Sequence, residues 1–179
     1  MNRDTIIELT FNEKLERENQ NFYFKYIWSK ILKTWIKITV CAIIFLFLGF
    51  YPIKYFDRSF FYYFFKYGGI FLAGYSLILV NHYFSSKKKF KIEVNKLIGK
   101  FKTKNEPHFT IINDQYIEFK NPLITIKSTW ENTSYVISGD YILISPVNNL
   151  NYIIHKSEVS NNEFQIIKEN IQKYSKQSK

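Results

Sequence analysis

Three histidines, one cysteine and a scatter of carboxylates are the side chains here that could carry chemistry. His82, His108 and His155 stand far apart, and none has a cysteine or second histidine at metal-ligand spacing. Each reads as structural. Cys41 lies in an uncharged apolar run, so it reads as packing, and a lone cysteine forms no internal disulfide. Asp114, Glu118, Glu131, Asp140 and Glu158 are scattered without the pattern of a catalytic dyad. No phosphate-binding loop, dinucleotide fingerprint or nucleophile elbow is present. The reading is therefore non-enzymatic, without cofactor or metal. Trp130 could stack on a ligand, although an indole more often spends its area in a core. With Glu131 and His155 it makes a candidate partner surface.

Charge narrows the function classes further. Of 25 Lys and Arg, 18 fall in residues 1–106 against 8 Asp and Glu, whereas residues 107–179 hold 7 of each. A nucleic-acid module carries its basic patch on the folded domain, so no nucleic-acid partner is expected. The excess surrounds apolar segments instead, where 18 Phe and 14 Tyr also concentrate.

Residues 38–53 read ITVCAIIFLFLGFYPI, uncharged between Lys37 and Lys54. Residues 67–84 read YGGIFLAGYSLILVNHYF, preceded by FFYYFF and Lys66. Both lengths approach the ~20 residues of a membrane-spanning helix, with flanking lysines able to snorkel. The expectation is a transmembrane hairpin over 37–86, with spans at about 37–55 and 61–84. Lys25, Lys30, Lys33 and Lys37 precede the first span, and Lys87, Lys88, Lys89, Lys91 and Lys96 follow the second. The linking loop offers only Lys54, Arg58 and Lys66. The positive-inside rule then places both termini in the cytosol. Lys87, Lys88, Lys89 and Lys91 are expected at anionic lipid headgroups. Gly69, Ala73 and Gly74 allow close helix packing, either within the hairpin near Gly49 or in a homo-oligomeric seam. Asn81 and His82 fit a membrane interface.

Residues 1–36 form an N-terminal segment. A short strand is possible by pattern at 6–10. Phe24, Trp28, Ile31 and Trp35 then share one helical face, which predicts an amphipathic helix at the headgroup layer. Residues 87–106 read as a basic helix and linker. From 107 the period changes to two, with strand candidates at 108–112, 116–120, 123–127, 135–138, 141–145 and 152–155. Ser160 and Glu163 have capping-box spacing before a helix with Phe164, Ile167, Ile171 and Tyr174 on one stripe. The fold class is thus an α+β membrane protein. A two-helix hairpin precedes a small antiparallel domain at 107–179, closed by a C-terminal helix in the order of a pleckstrin-homology-like (PH-like) barrel.

This layout resembles the YcxB-like family of bacterial membrane proteins. The residues carrying the likeness are FTIINDQYIEFK from Phe109, Trp130 with a polar follower, YILI at 141–144, and YIIHK at 152–156. Glu131 stands where the family usually has serine, and His155 where it usually has proline. The resemblance implies two spans and a PH-like domain, and implies no activity. Two functional readings follow. One is a membrane-anchored module in the bacterial inner membrane, presenting its cytosolic domain to a lipid or protein. The other is an immunity protein that neutralises a membrane-targeting toxin.

Overall fold

The structure is a computed structural model that describes residues 4–51, 60–104, 106–147 and 150–177. The loop residues Pro52, Lys54, Asp57 and Arg58 therefore lie outside the described residues, as do Asn105 and the Asn148-Asn149 turn. The chain forms two compact units: residues 1–23 with 94–179, and residues 24–93. The element order is β1 (Thr5–Leu9), α1 (Glu13–Phe50), α2 (Phe60–Lys104), β2 (His108–Ile112), β3 (Tyr116–Lys120), β4 (Thr125–Thr129), β5 (Ser134–Ser138), β6 (Tyr141–Val147), β7 (Leu150–His155), α3 (Asn161–Tyr174) and β8 (Lys176–Gln177). Short 3-10 turns sit at Trp130–Asn132 and Lys156–Glu158.

In the 24–93 unit, α1 and α2 are both long and apolar enough to cross a membrane. Phe47, Phe50, Phe71, Leu77 and Ile78 are exposed on them. Glycines set the closest approach of the two helices. A Cβ on Gly49 would lie 2.5 Å from the Lys66 Cα, and one on Gly69 would lie 2.8 Å from the Leu46 backbone nitrogen. Polar ties add to this: Trp35 Nε1 donates to Ser76 Oγ at 2.8 Å, and the Thr39 and Ser76 hydroxyls meet at 2.9 Å. The stripe starting at Phe24 is not a free lipid-facing surface. Phe24 and Trp28 are buried, packed against Tyr83, and Phe24 also meets Phe90. The Phe24–Trp28 half of the face that reads as a headgroup-layer helix is covered by aromatic rings of α2, while Ile31 stays exposed and Trp35 half-buried.

The other unit begins with β1, which pairs antiparallel with β2 from Thr5↔Ile112 to Leu9↔His108. One sheet has the order β1-β2-β3-β4, and the other β7-β6-β5-β8. All pairings are antiparallel except β5 with β8, which is parallel. The sheet therefore draws a strand from the N-terminal segment, and residues 107–179 alone are not the whole compact unit. Side-chain chemistry fixes the turns. Asn113 Oδ1 accepts from the Gln115 and Tyr116 amides, and Asn121 Oδ1 accepts from Leu123 and Ile124. Gly139 takes a φ of 60° between β5 and β6, a left-handed conformation that suits glycine.

Helix α3 closes the unit. Ser160 Oγ accepts from the Glu163 amide at 3.2 Å, and the Glu163 carboxylate accepts from the Ser160 amide at 2.9 Å. That reciprocal cap starts the helix, and Phe164, Ile167 and Ile171 enter the core beside Ile112, Ile117 and Ile142. Burying the three helix side chains contributes on the order of 5–8 kcal/mol, an upper estimate.

Candidate functional site

A cavity of about 220 Å³ lies within the β-containing unit, where the first turns of α1 and the last turns of α2 meet both sheets. Asn12 caps α1 by accepting from the Lys14 and Leu15 amides at 3.0 and 3.3 Å. The helix then presents Glu16, Asn19 and Gln20 to the cavity, positions three and four apart and so on one face. From β2 come His108 and Thr110, alternate residues on the inward side of the strand. Tyr152 on β7 and Glu158 after it add to the polar lining, with Lys120, Asn121 and Asn151 also present.

The hydrogen-bonding of this lining is incomplete. Gln20 Nε2 donates to Glu16 Oε1 at 2.9 Å. Asn19 Nδ2 donates to both Glu158 oxygens at 3.1 Å, and the His155 amide donates to Glu158 Oε2 at 2.7 Å. Asn121 Nδ2 donates to the Tyr152 hydroxyl at 2.8 Å. Asn19 Oδ1, Thr110 Oγ1 and His108 Nε2 are buried without a hydrogen-bond partner among the described residues. Asn19 is 2% exposed and Thr110 0%. An unpaired buried polar atom costs roughly 1–3 kcal/mol, so three lining one cavity mark a place built for something other than packing.

Electrostatics point the same way. Burial pushes the Glu16 carboxyl above its ordinary range, and the charge of Glu158 adds to the effect against the Gln20 hydrogen bond. Burial also pushes the Tyr152 phenol up to about 12. It pushes His108 down, toward the neutral imidazole. Outside the cavity, Glu13 is held low by hydrogen bonds from Lys102 and Arg17.

The residues singled out in the sequence do not form this site. Trp130 is 4% exposed, donates its Nε1–H to the Asn113 carbonyl at 2.8 Å and stacks on Tyr174. It is core, and the surface expected from Trp130, Glu131 and His155 loses its central member. Glu131 is exposed on the 3-10 turn after β4. His155 caps the turn after β7, with Nδ1 2.6 Å from the Ser157 hydroxyl. Lys87, Lys88, Lys89 and Lys91 are all exposed on α2, stepping round the helix instead of lining one face. Gly69 is used against α1, Ala73 is half-buried, and Gly74 has open space at its Cβ position.

Reasoning from sequence missed Glu16, Asn19 and Thr110. A signal existed: polar residues at inward-facing strand positions 108 and 110, and a polar face on α1 at 16, 19, 20 and 23. No family model, curated protein or solved structure matches this chain. Among the described residues no group of three or more His, Cys, Asp or Glu side chains could hold a metal ion.

Proposed function

We propose that this protein is a non-enzymatic, membrane-anchored binding module. Its two apolar helices sit in a bacterial inner membrane with both termini cytosolic, and its α+β unit receives a ligand or partner. The observation that supports this best is the β1–β2 pairing. Residues 5–9 precede both apolar segments and residues 108–112 follow them, yet they are neighbouring strands. A chain with both helices inserted must return to the side it left, which a two-span hairpin does. The exposed apolar side chains of α1 and α2 suit lipid contact. The flanking lysines favour the cytosolic side. Lys87, Lys88, Lys89 and Lys91 would each contribute about 1 kcal/mol with anionic headgroups. Gly74, open at its Cβ, is the small residue available to a second copy.

Seven strands, then a capped helix and a two-residue eighth strand, accord with the PH-like reading, and through it with the YcxB-like resemblance. Glu131 and His155 remain departures from that family's pattern. The partners that fit are membrane lipids and a membrane-associated protein.

Reporter fusions test the anchor. A reporter at Ser86 should signal in the cytosol and one at Asp57 outside, with the protein resisting alkaline extraction from membranes. A cytosolic signal from Asp57 overturns the hairpin. Protection of cells from the product of an adjacent toxin gene would replace the module reading with immunity.

A further inference from the structure

The cavity holds more acceptors than the protein satisfies. Glu16 and Glu158 are close enough for the charge of Glu158 to disfavour ionised Glu16. Two of the neighbouring cations are committed elsewhere: Arg17 and Lys102 both pair with Glu13. Among the described residues no ion pair reaches Glu16 or Glu158. Both are half-buried, and carboxylates withdrawn from water ordinarily gain a cation or a full set of donors.

Asn19 adds a neutral acceptor. Its amide nitrogen faces the Glu158 carboxylate, because the flipped amide would set a carbonyl against an anion. Its Oδ1 is thereby the free, buried atom. Thr110 Oγ1 is a third acceptor and can also donate. His108, pushed toward neutrality, brings no positive charge, and Lys120 lines the cavity as an exposed residue. Phe101, Ile126 and Ile154 make apolar walls. A volume of about 220 Å³ has room for roughly seven waters, or for a short alkyl stem ending in one polar group.

We infer that this cavity binds a guanidinium group on a short alkyl stem, its planar donors shared among Glu16, Asn19 Oδ1 and Thr110 Oγ1. A planar fork of donors matches a carboxylate beside a carbonyl, and a delocalised, weakly hydrated cation enters a half-apolar cavity readily. The inference rests on the binding-module reading for its biological sense.

The test uses full-length protein in detergent micelles and titration calorimetry. The probes are n-butylguanidinium and the near-isosteric, neutral n-butylurea. One-site binding of the guanidinium is expected, weaker by about tenfold or more for the urea. Glu16→Gln should weaken guanidinium binding about tenfold and Thr110→Val about threefold, with neither variant melting below the parent. Equal binding of the urea, unchanged affinity in both variants, or no saturable heat from folded protein overturns the inference. Each of those results leaves the fusion and extraction results standing, so the anchor fails or survives separately. A Gly-Gly-Arg-Gly peptide separates two sources of the group. Binding as tight as n-butylguanidinium assigns it to a partner's arginine, and weaker binding to a free small molecule. Both outcomes support the guanidinium site.

Discussion

Asn19 and Glu158 are 139 positions apart and meet through the Asn19 amide, which donates to both carboxylate oxygens at 3.1 Å. Glu158 accepts as well from the amide of His155, the residue that caps its own turn. The start of α1 is thus fastened to the end of β7 by a carboxylate that accepts three hydrogen bonds from two donors. The same bond leaves Asn19 Oδ1 buried without a partner.

Thr110→Val should stabilise the protein. The hydroxyl is fully buried without a partner, and valine has the same shape. Removing an unpaired buried polar group should gain about 1 kcal/mol. A raised midpoint in thermal or urea unfolding checks this, and a clear loss would mean the hydroxyl has a structural partner.

Glu16 makes stability depend on pH with a definite sign. Its folded pKa lies above the ordinary 4.5, so the folded state holds the proton more tightly than the unfolded chain. That contribution is fully present below 4.5 and is lost as pH rises through the raised value. Glu16→Gln should therefore flatten the decline on the alkaline side of 4.5. Denaturant midpoints of parent and variant across that window are the measurement.

Ile7→Ala should cost about 2–5 kcal/mol, since Ile7 is 1% exposed and sits in the core through β1. By the same argument, a fragment of residues 107–179 should fail to fold. It lacks the partner of β2 and leaves that edge open. Dispersed amide NMR signals from the isolated fragment would contradict this.

In the hairpin, Gly69→Ala should loosen helix packing, because its new Cβ meets the Leu46 backbone at 2.8 Å. Gly74→Ala should leave the single chain unaffected, with nothing near its Cβ. A Gly74→Ala change that lowers the fraction of cross-linked dimer, while melting is unchanged, would locate a seam between copies.

Much of the fold was legible because its signals are local. The Ser160/Glu163 cap and the spacing of Phe164, Ile167 and Ile171 predict a helix where α3 lies. The asparagine turns at 113 and 121 mark the ends of β3's neighbours by their own hydrogen bonds. What could not be read is non-local. Nothing in TIIEL names HFTII as its partner across two long helices. Phe24 and Trp28 have the spacing of a lipid-facing stripe, and only the presence of Tyr83 and Phe90 shows them covered. The cavity was hidden in the same way, its polar residues lying on α1, on β2 and beyond β7, each unremarkable within its own segment.

The β1–β2 register also sets an order of events during synthesis. Residues 5–9 leave the ribosome long before residues 108–112, and both apolar helices are made in between. The first strand must wait, unpaired, while the hairpin is delivered, and the loop it finally closes is long and slow to form. Under the proposed two-span topology, completion of the sheet is a report that the intervening chain has come back to the side from which it started. A hairpin stalled half-way would leave a bare strand, open to chaperones and proteases, as the sign of its failure.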